Sequence, residues 1–306
     1  MLAPTPTVCV LGATGSQGFA LAQQLCELNW HVHALVRNRN SANAVALSVI
    51  GVQLTSGDWD DNEALSAAIS GCDKLFLCLL PDFADQDRER RRAENIVQIA
   101  KAAGIKQVVT STSLGVFMLD EGKMEPDTFM YNHLSSKKGL EQATARAGFK
   151  HWTFLRPSFF MANFLAPKVE RYPEPRDEGT WTTSMTAEAK LALLDHIDVA
   201  KVAVAAFRDP DKFHDKAIGL ASELLTVQET LDQLGHATGR PLKAVFMTDK
   251  EIAEMQRKSN VFVNSQSSMR YMIDYIDMDQ LTTITPLTTF NEFLEREKQA
   301  VKETYP

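Results

Sequence analysis

Much that would announce a function is missing from this chain of 306 residues. No apolar run reaches the ~20 residues that a membrane-spanning helix requires, so no membrane role is expected. The amino terminus, MLAPTPT, has neither a positive region nor a long apolar stretch, and no secretory leader is expected. Only four cysteines occur, Cys9, Cys26, Cys72 and Cys78, and no two have the close spacing of a zinc site. Free, largely buried thiols in a reducing compartment follow, which suits the cytoplasm, or the nucleus by diffusion or partnership. The net charge is −7 and no basic stripe is present, which argues against direct binding of nucleic acid. There is no metal-spaced histidine pair, no Ser-His-Asp elbow, no internal repeat and no low-complexity segment.

What is present is a strong rhythm. The chain is 44% hydrophobic and 23% charged, enough apolar material for a sizeable core. Strand-like runs alternate with helix-period segments: Thr7–Leu11, Val32–Val36, Val52–Thr55, Lys74–Leu80, Gln107–Ser111 and His151–Leu155 are the strands. Helices are expected over Gln17–Leu28, Ser41–Ser48, Asn62–Ile69, Asp85–Ala103 and Leu134–Ala147. Strands joined by helical crossovers argue an α/β doubly wound parallel sheet. Runs such as VCVLG and LFLCLL are apolar nearly throughout, as strands covered on both faces must be. After Pro157 the rhythm loosens. Helices are expected at Asp198–Phe207 with Asp198 as the cap, at Thr226–Leu234 stopped by Gly235, at Asp249–Lys258, at Met269–Tyr275 and at Thr288–Glu303, with strands at Ala217–Leu220 and Leu242–Phe246. The division expected is a dinucleotide-binding domain over residues 1–156 and a smaller α+β lobe for substrate or partner over 157–306, interleaved with the first.

Three glycines, three residues apart, follow the first strand: Val8–Gly18 reads VCVLGATGSQG. At a strand-to-helix turn this pattern suits a dinucleotide pyrophosphate, because the free N–H groups and dipole of a helix start favour negative charge. Gly12 allows the tight turn, Gly15 the approach of phosphate, and Gly18 close packing of helix on sheet, with Thr14, Ser16 and Gln17 completing the cradle. The second strand ends ALVRNRN, with no acidic residue to hold a free ribose 2′-hydroxyl. Arg37 and Arg39 stand there instead, with Asn38 between them. Guanidinium suits a 2′-phosphate, so NADP(H) is favoured over NAD(H). Asp58, in SGDWDD, either sits beside the adenine or serves a turn or helix cap. Leu80 and Pro81 end the fourth strand where the chain passes the middle of the cofactor, and Pro157, after the sixth strand, is also expected to bind the cofactor.

Chemistry at the nicotinamide is less plainly written. Four residues before Lys137 stands His133, and Tyr131 lies six before it, on another side of a regular helix. Lys137 is either a ribose-binding or polarising cation or a surface lysine; His133 either faces the same pocket or is structural. Ser111, after the fifth strand, either orients substrate or caps a turn. Phe117, Met118, Phe159, Phe160, Met161 and Phe164 are expected mostly in the core; any that line the crevice imply an apolar, even aromatic, substrate. The DRERRR cluster, Arg88–Arg92, is interleaved with acids and reads as a solvated helix start.

Taken in order, GATGSQG, LVRNRN, SGDWDD, VVTSTS, HLSSKKGLEQ, FLRPSFFMANF and the later DHIDVAKVAVAAFRDPDKFHDKAIGLASELLT and TTFNEFLEREK resemble the NmrA-like proteins, atypical members of the short-chain dehydrogenase superfamily. The resemblance covers nearly the whole chain. It implies a Rossmann-type fold with a small C-terminal lobe and a bound nicotinamide dinucleotide. The superfamily's Tyr-x-x-x-Lys pair is absent here, since His133 occupies the tyrosine position. Within the family some members resemble isoflavone reductases, which carry a lysine where Lys137 stands. Others resemble redox sensors and transcriptional co-regulators that act through protein partners, and the glutamine of TGSQG leans towards these. The resemblance therefore implies either an NADPH-dependent reductase of a small apolar or aromatic substrate, or a non-catalytic NADP(H) sensor.

Overall fold

The computed structural model describes residues 5–82, 84–257 and 266–306. Thr7–Leu11 (β1) leads into Ser16–Glu27 (α1), and the alternation continues through His31–Val36 (β2), Ala42–Val49 (α2), Gln53–Ser56 (β3), Asn62–Ile69 (α3), Lys74–Leu77 (β4) and Arg88–Ala102 (α4). Gln107–Ser111 (β5), Val116–Asp120 (α5), Phe129–Arg146 (α6) and His151–Pro157 (β6) follow. The strands pair in parallel in the order β3-β2-β1-β4-β5-β6, with β1 between β2 (Val8 opposite Val32) and β4 (Val8 opposite Lys74). A seventh strand, Lys216–Leu220, extends the sheet beyond β6. This is an α/β, Rossmann-type doubly wound sheet, and its order reverses between β1 and β4, where such sheets open a crevice at the carboxyl ends of their strands.

The chain divides into two units. The first is Met1–Arg156 with Val199–Ile218, and the second is Pro157–Asp198 with Gly219–Pro306. In the first, successive strand residues are buried, and Leu11, Leu65, Ile69, Leu75, Ile96 and Leu140 share one core. The second unit holds two small sheets. Glu223–Thr226 pairs antiparallel with Lys190–Leu194, which pairs in parallel with Phe159–Phe160, and Lys243–Phe246 pairs in parallel with Thr180–Thr183. Its core is aromatic: Phe164 lies 5.7 Å from Phe159, 5.5 Å from Trp181 and 5.6 Å from Phe290, ring centre to ring centre. Phe159, Met161 and Phe164 are therefore core residues. Among the described residues no helix is long and apolar enough to cross a membrane.

Several boundaries differ from expectation for physical reasons. β4 stops at Leu77 rather than Leu80, because its neighbour β1 ends in the turn at Gly12, whose φ is +88°. α6 starts at Phe129 rather than Leu134, since Thr128 accepts a hydrogen bond from the Tyr131 amide at 3.2 Å and caps the helix early. Asp198 is no cap. The helix His196–Arg208 starts before it, and its carboxylate accepts from Ser222 Oγ at 2.6 Å and the Thr288 amide at 2.8 Å. Gly235 does not stop its helix either: Val227–Thr238 runs through it and ends at Gly239, with φ +69°. A Cβ on Gly235 would lie 2.7 Å from the Arg240 carbonyl oxygen, so that glycine serves packing. The terminal helix is two, Phe290–Arg296 and Lys298–Thr304. The helix at Asp249 is described to Arg257; Lys258 lies outside the described residues.

Candidate functional site

The turn after β1 is where the first unit opens. α2 and α3 are capped by the side chains of Ser41 and Asp61, but α1 starts at Gly15 with no side-chain cap. The first amides of α1 therefore have no protein acceptor within the helix, and no acidic residue stands in its first turn. The three glycines are needed for different reasons. A Cβ on Gly12 would meet the Cys78 carbonyl oxygen at 2.5 Å, and one on Gly18 the Gly12 carbonyl oxygen at 2.3 Å. Gly15 is different: the nearest atom to its Cβ position is the Gly12 carbonyl oxygen at 3.3 Å, a tight contact that a small shift would relieve, so packing demands a glycine less strongly there. The missing side chain keeps the front of the helix start open.

That opening is a cleft of about 410 Å³. Its walls bring together Gly12, Thr14, Gly15, Ser16, Gln17, Gly18, Arg37, Asp58, Leu80 and Pro81 from four segments of chain. Leu35, Gly57, Trp59, Cys78, Asp82 and Arg92 line it too, and the sequence reading missed them. Gly57 and Trp59 flank Asp58 in SGDWDD, a signal that was available. Nothing in the spacing marks Arg92, since α4 carries it in from a helix read as solvated. Asn43 Nδ2 donates to the Thr14 carbonyl at 2.8 Å and ties the glycine loop to α2.

Other expected residues are spent elsewhere. Arg39 Nη2 donates to the Leu54 carbonyl at 2.6 Å, and Asn38 Oδ1 accepts from the Asn40 amide at 2.9 Å; neither lines the cleft. Ser111 Oγ donates to Gln17 Oε1 at 2.6 Å, so its hydroxyl braces the glycine loop. Pro157 is the last residue of β6 and is absent from the cleft wall.

Lys137 is not a surface lysine. Its side chain is 7% exposed, and Nζ donates to Glu89 Oε1 at 2.5 Å and to the Leu79 carbonyl at 3.2 Å. Glu89 belongs to the DRERRR run read as solvated, yet its side chain is 1% exposed. The period of α4 explains the correction: Glu89, Ala93, Ile96, Val97 and Ala100 form its buried stripe, while the side chains of Arg88, Arg90 and Arg91 are 36–50% exposed and that of Arg92 is 16% exposed. Glu89 Oε2 is buried with no hydrogen-bond partner among the described residues. An ammonium has three protons, and Lys137 has committed two. Burial pushes the Cys78 thiol up while the Lys137 ammonium pulls it back, so the cleft floor and this ion pair share one electrostatic environment. His133 is pushed down to about 4, by burial first and by Lys137 second, and is a neutral imidazole near pH 7.

A second buried group joins β5, α5, α6 and β6. Arg156 donates to Glu141 Oε1 (3.0 Å) and Oε2 (2.6 Å) and to Asp120 (2.9 Å), and lies 4.0 Å from the centre of the Phe117 ring. Nε and Nη2 of Arg156 are both held by carboxylates, which marks the group as structural. Among the described residues no cluster of His, Cys, Asp and Glu could hold a metal ion.

Three known proteins are similar to this chain. The chain is 28% identical over 296 residues to the NAD(P)H azoreductase of Xenophilus azovorans, covering 94% of this chain and 96% of that one. It is 30% identical over 238 residues to the (4-alkanoyl-5-oxo-2,5-dihydrofuran-3-yl)methyl phosphate reductase of Streptomyces griseus, covering 77% and 75%. Its fold matches that of NmrA, a negative transcriptional regulator solved in complex with NAD, with a TM-score of 0.75 at 18% identity over 99% and 96% of the two chains. The NmrA-like family pattern matches residues 4–294, and with that span the chain belongs to the NmrA-like family.

Proposed function

We propose that this protein is an NADPH-dependent reductase of a small apolar or aromatic substrate. The observation that carries the reading is the uncapped start of α1 opening on a cleft with Arg37 in its wall. The residues fit a dinucleotide: the open cradle at Gly15 leaves room for phosphate, and the amides of Ser16, Gln17 and Gly18 are donors without helical acceptors. Arg37 offers a planar fork to a 2′-phosphate, which favours NADP(H) over NAD(H). The dinucleotide, when bound, supplies the hydride. Lys137 keeps one proton for a ribose hydroxyl or for the substrate atom that gains charge, and Glu89 and the Leu79 carbonyl aim it. In this reading residues 1–156 hold the dinucleotide and 157–306 serve the substrate or a partner.

The azoreductase relative supports a reductase. A second reading is a non-catalytic NADP(H) sensor that binds a regulatory protein, acting in cytoplasm or nucleus. One observation favours it: with a neutral His133 where the tyrosine would stand, the helix offers neither a phenol nor an imidazolium four residues before Lys137. The same assay separates the two. NADPH oxidation is followed with aromatic ketones, enals, quinones and azo dyes. A reductase turns one of these over and loses at least about a hundredfold in Lys137→Ala with cofactor affinity kept. Binding of NADPH without any turnover, and capture of a partner by only one redox form, identifies the sensor.

A further inference from the structure

We infer that Arg92, backed by Trp59 and held by Asp60, works with Asp58 to read the base of the dinucleotide and select adenine. This rests on the cofactor reading above. The glycine loop sets the place of the phosphates and Arg37 stands at the end of β2, so the adenosine half extends along the wall where β3 ends, at Gly57, Asp58 and Trp59.

Arg92 reaches that same wall from α4, and its side chain is only 16% exposed. Nε donates to Asp60 Oδ1 at 2.8 Å and Nη2 to Asp60 Oδ2 at 2.5 Å, while the guanidinium carbon lies 5.7 Å from the centre of the Trp59 ring. Asp60 is itself fixed, because Arg88 bridges it (2.8 Å) to Asp82 (3.0 Å). These bonds hold the Asp60 carboxyl well below the usual carboxylate range, so the clamp persists across the working pH range. A long side chain is thereby pinned with Nη1 as its uncommitted donor. Asp58 lies near enough for its charge to act on Arg92, and its Oδ1 accepts from the Asp60 amide at 2.9 Å. The other Asp58 oxygen remains for a ligand.

The wall thus offers an acceptor beside a donor. Adenine presents the complement: an exocyclic amine that donates, next to a ring nitrogen that accepts. Hypoxanthine replaces that amine by a carbonyl oxygen, which would face the Asp58 carboxylate. Asp60 touches no base in this arrangement and acts as a positioning residue for Arg92.

The test compares reduced nicotinamide adenine dinucleotide phosphate with its hypoxanthine counterpart, titrated into the purified protein by fluorescence. Wild type is expected to bind the adenine form at least about tenfold more tightly. Arg92→Ala should weaken the adenine form by about tenfold and bring the two forms within about threefold of each other. Arg92→Lys keeps the charge without the fork and should behave as Arg92→Ala does; it also carries the test should the alanine variant fail to fold. Asp60→Asn should shift affinity and preference the same way, by less. A wild type that binds both forms equally overturns this inference and leaves the cofactor reading standing, as does full discrimination retained in Arg92→Ala or Arg92→Lys. A wild type that binds neither form removes both.

Discussion

Two sets of buried charge are handled in opposite ways. In the second unit, Asp195 accepts from Arg296 Nη1 (2.6 Å), Arg296 Nη2 (3.2 Å) and the Ile197 amide (3.2 Å), and Asp198 accepts from Ser222 Oγ, the Thr288 amide and Thr288 Oγ1 (3.0 Å). In the first unit, Glu89 has one oxygen on Lys137 and one with no partner among the described residues, while Lys137 keeps a spare proton. A buried carboxylate whose oxygens are all matched is architecture. One left half-matched beside a cleft is costly to the fold, and such a cost is expected where a ligand completes the set.

The contrast can be broken. Glu89→Ala strands the Lys137 charge in the interior and should destabilise the protein by about 3–5 kcal/mol in urea denaturation. The paired replacement Lys137→Met with Glu89→Met should return to within about 1 kcal/mol of wild type, because it removes both charges and refills the space with apolar side chains, and under the reductase reading it still lacks turnover. If the double variant is as unstable as the single one, the pair is architecture like its counterpart in the second unit.

A smaller effect sharpens the comparison through pH. His133 is held near about 4 in the folded chain against an ordinary 6.5, so the unfolded chain takes up its proton first. Its contribution is intact above the ordinary value, falls away as pH drops from 6.5 towards 4, and is flat below that; the whole change is up to about 3 kcal/mol. Chemical denaturation across that window should show a slope that His133→Asn removes. A slope unchanged in the variant would assign the acid sensitivity to other groups. Smallest of all, Arg37→Asp should weaken NADPH relative to NADH by about 1–3 kcal/mol. Equal loss for both dinucleotides would refute the role given to Arg37.

The frame was legible because parallel strands buried on both faces have to be apolar in nearly every position. VCVLG and LFLCLL show this before any coordinate is known. The strand-to-helix turn that opens the cleft was legible for a local reason, three glycines within seven residues of chain. Partnerships across the fold were not. Glu89 meets Lys137 from 48 residues away and Arg92 meets Asp60 from 32, and in the sequence both belong to one charged run with a single appearance. Only the period of α4 separates the buried carboxylate of Glu89 from the largely covered guanidinium of Arg92 and the more exposed ones of Arg88, Arg90 and Arg91. Asp198 misled in the same way: an acid before an apolar helix looks like a cap until its distant partners, Ser222 and Thr288, are known.

Every residue of the cleft wall lies between Gly12 and Arg92, yet the sheet that shapes it is finished only by the strand Lys216–Leu220. During synthesis the whole wall emerges from the ribosome more than a hundred residues before that edge strand exists. The nascent chain therefore carries the residues of its cleft wall for a long interval before the scaffold behind them is complete.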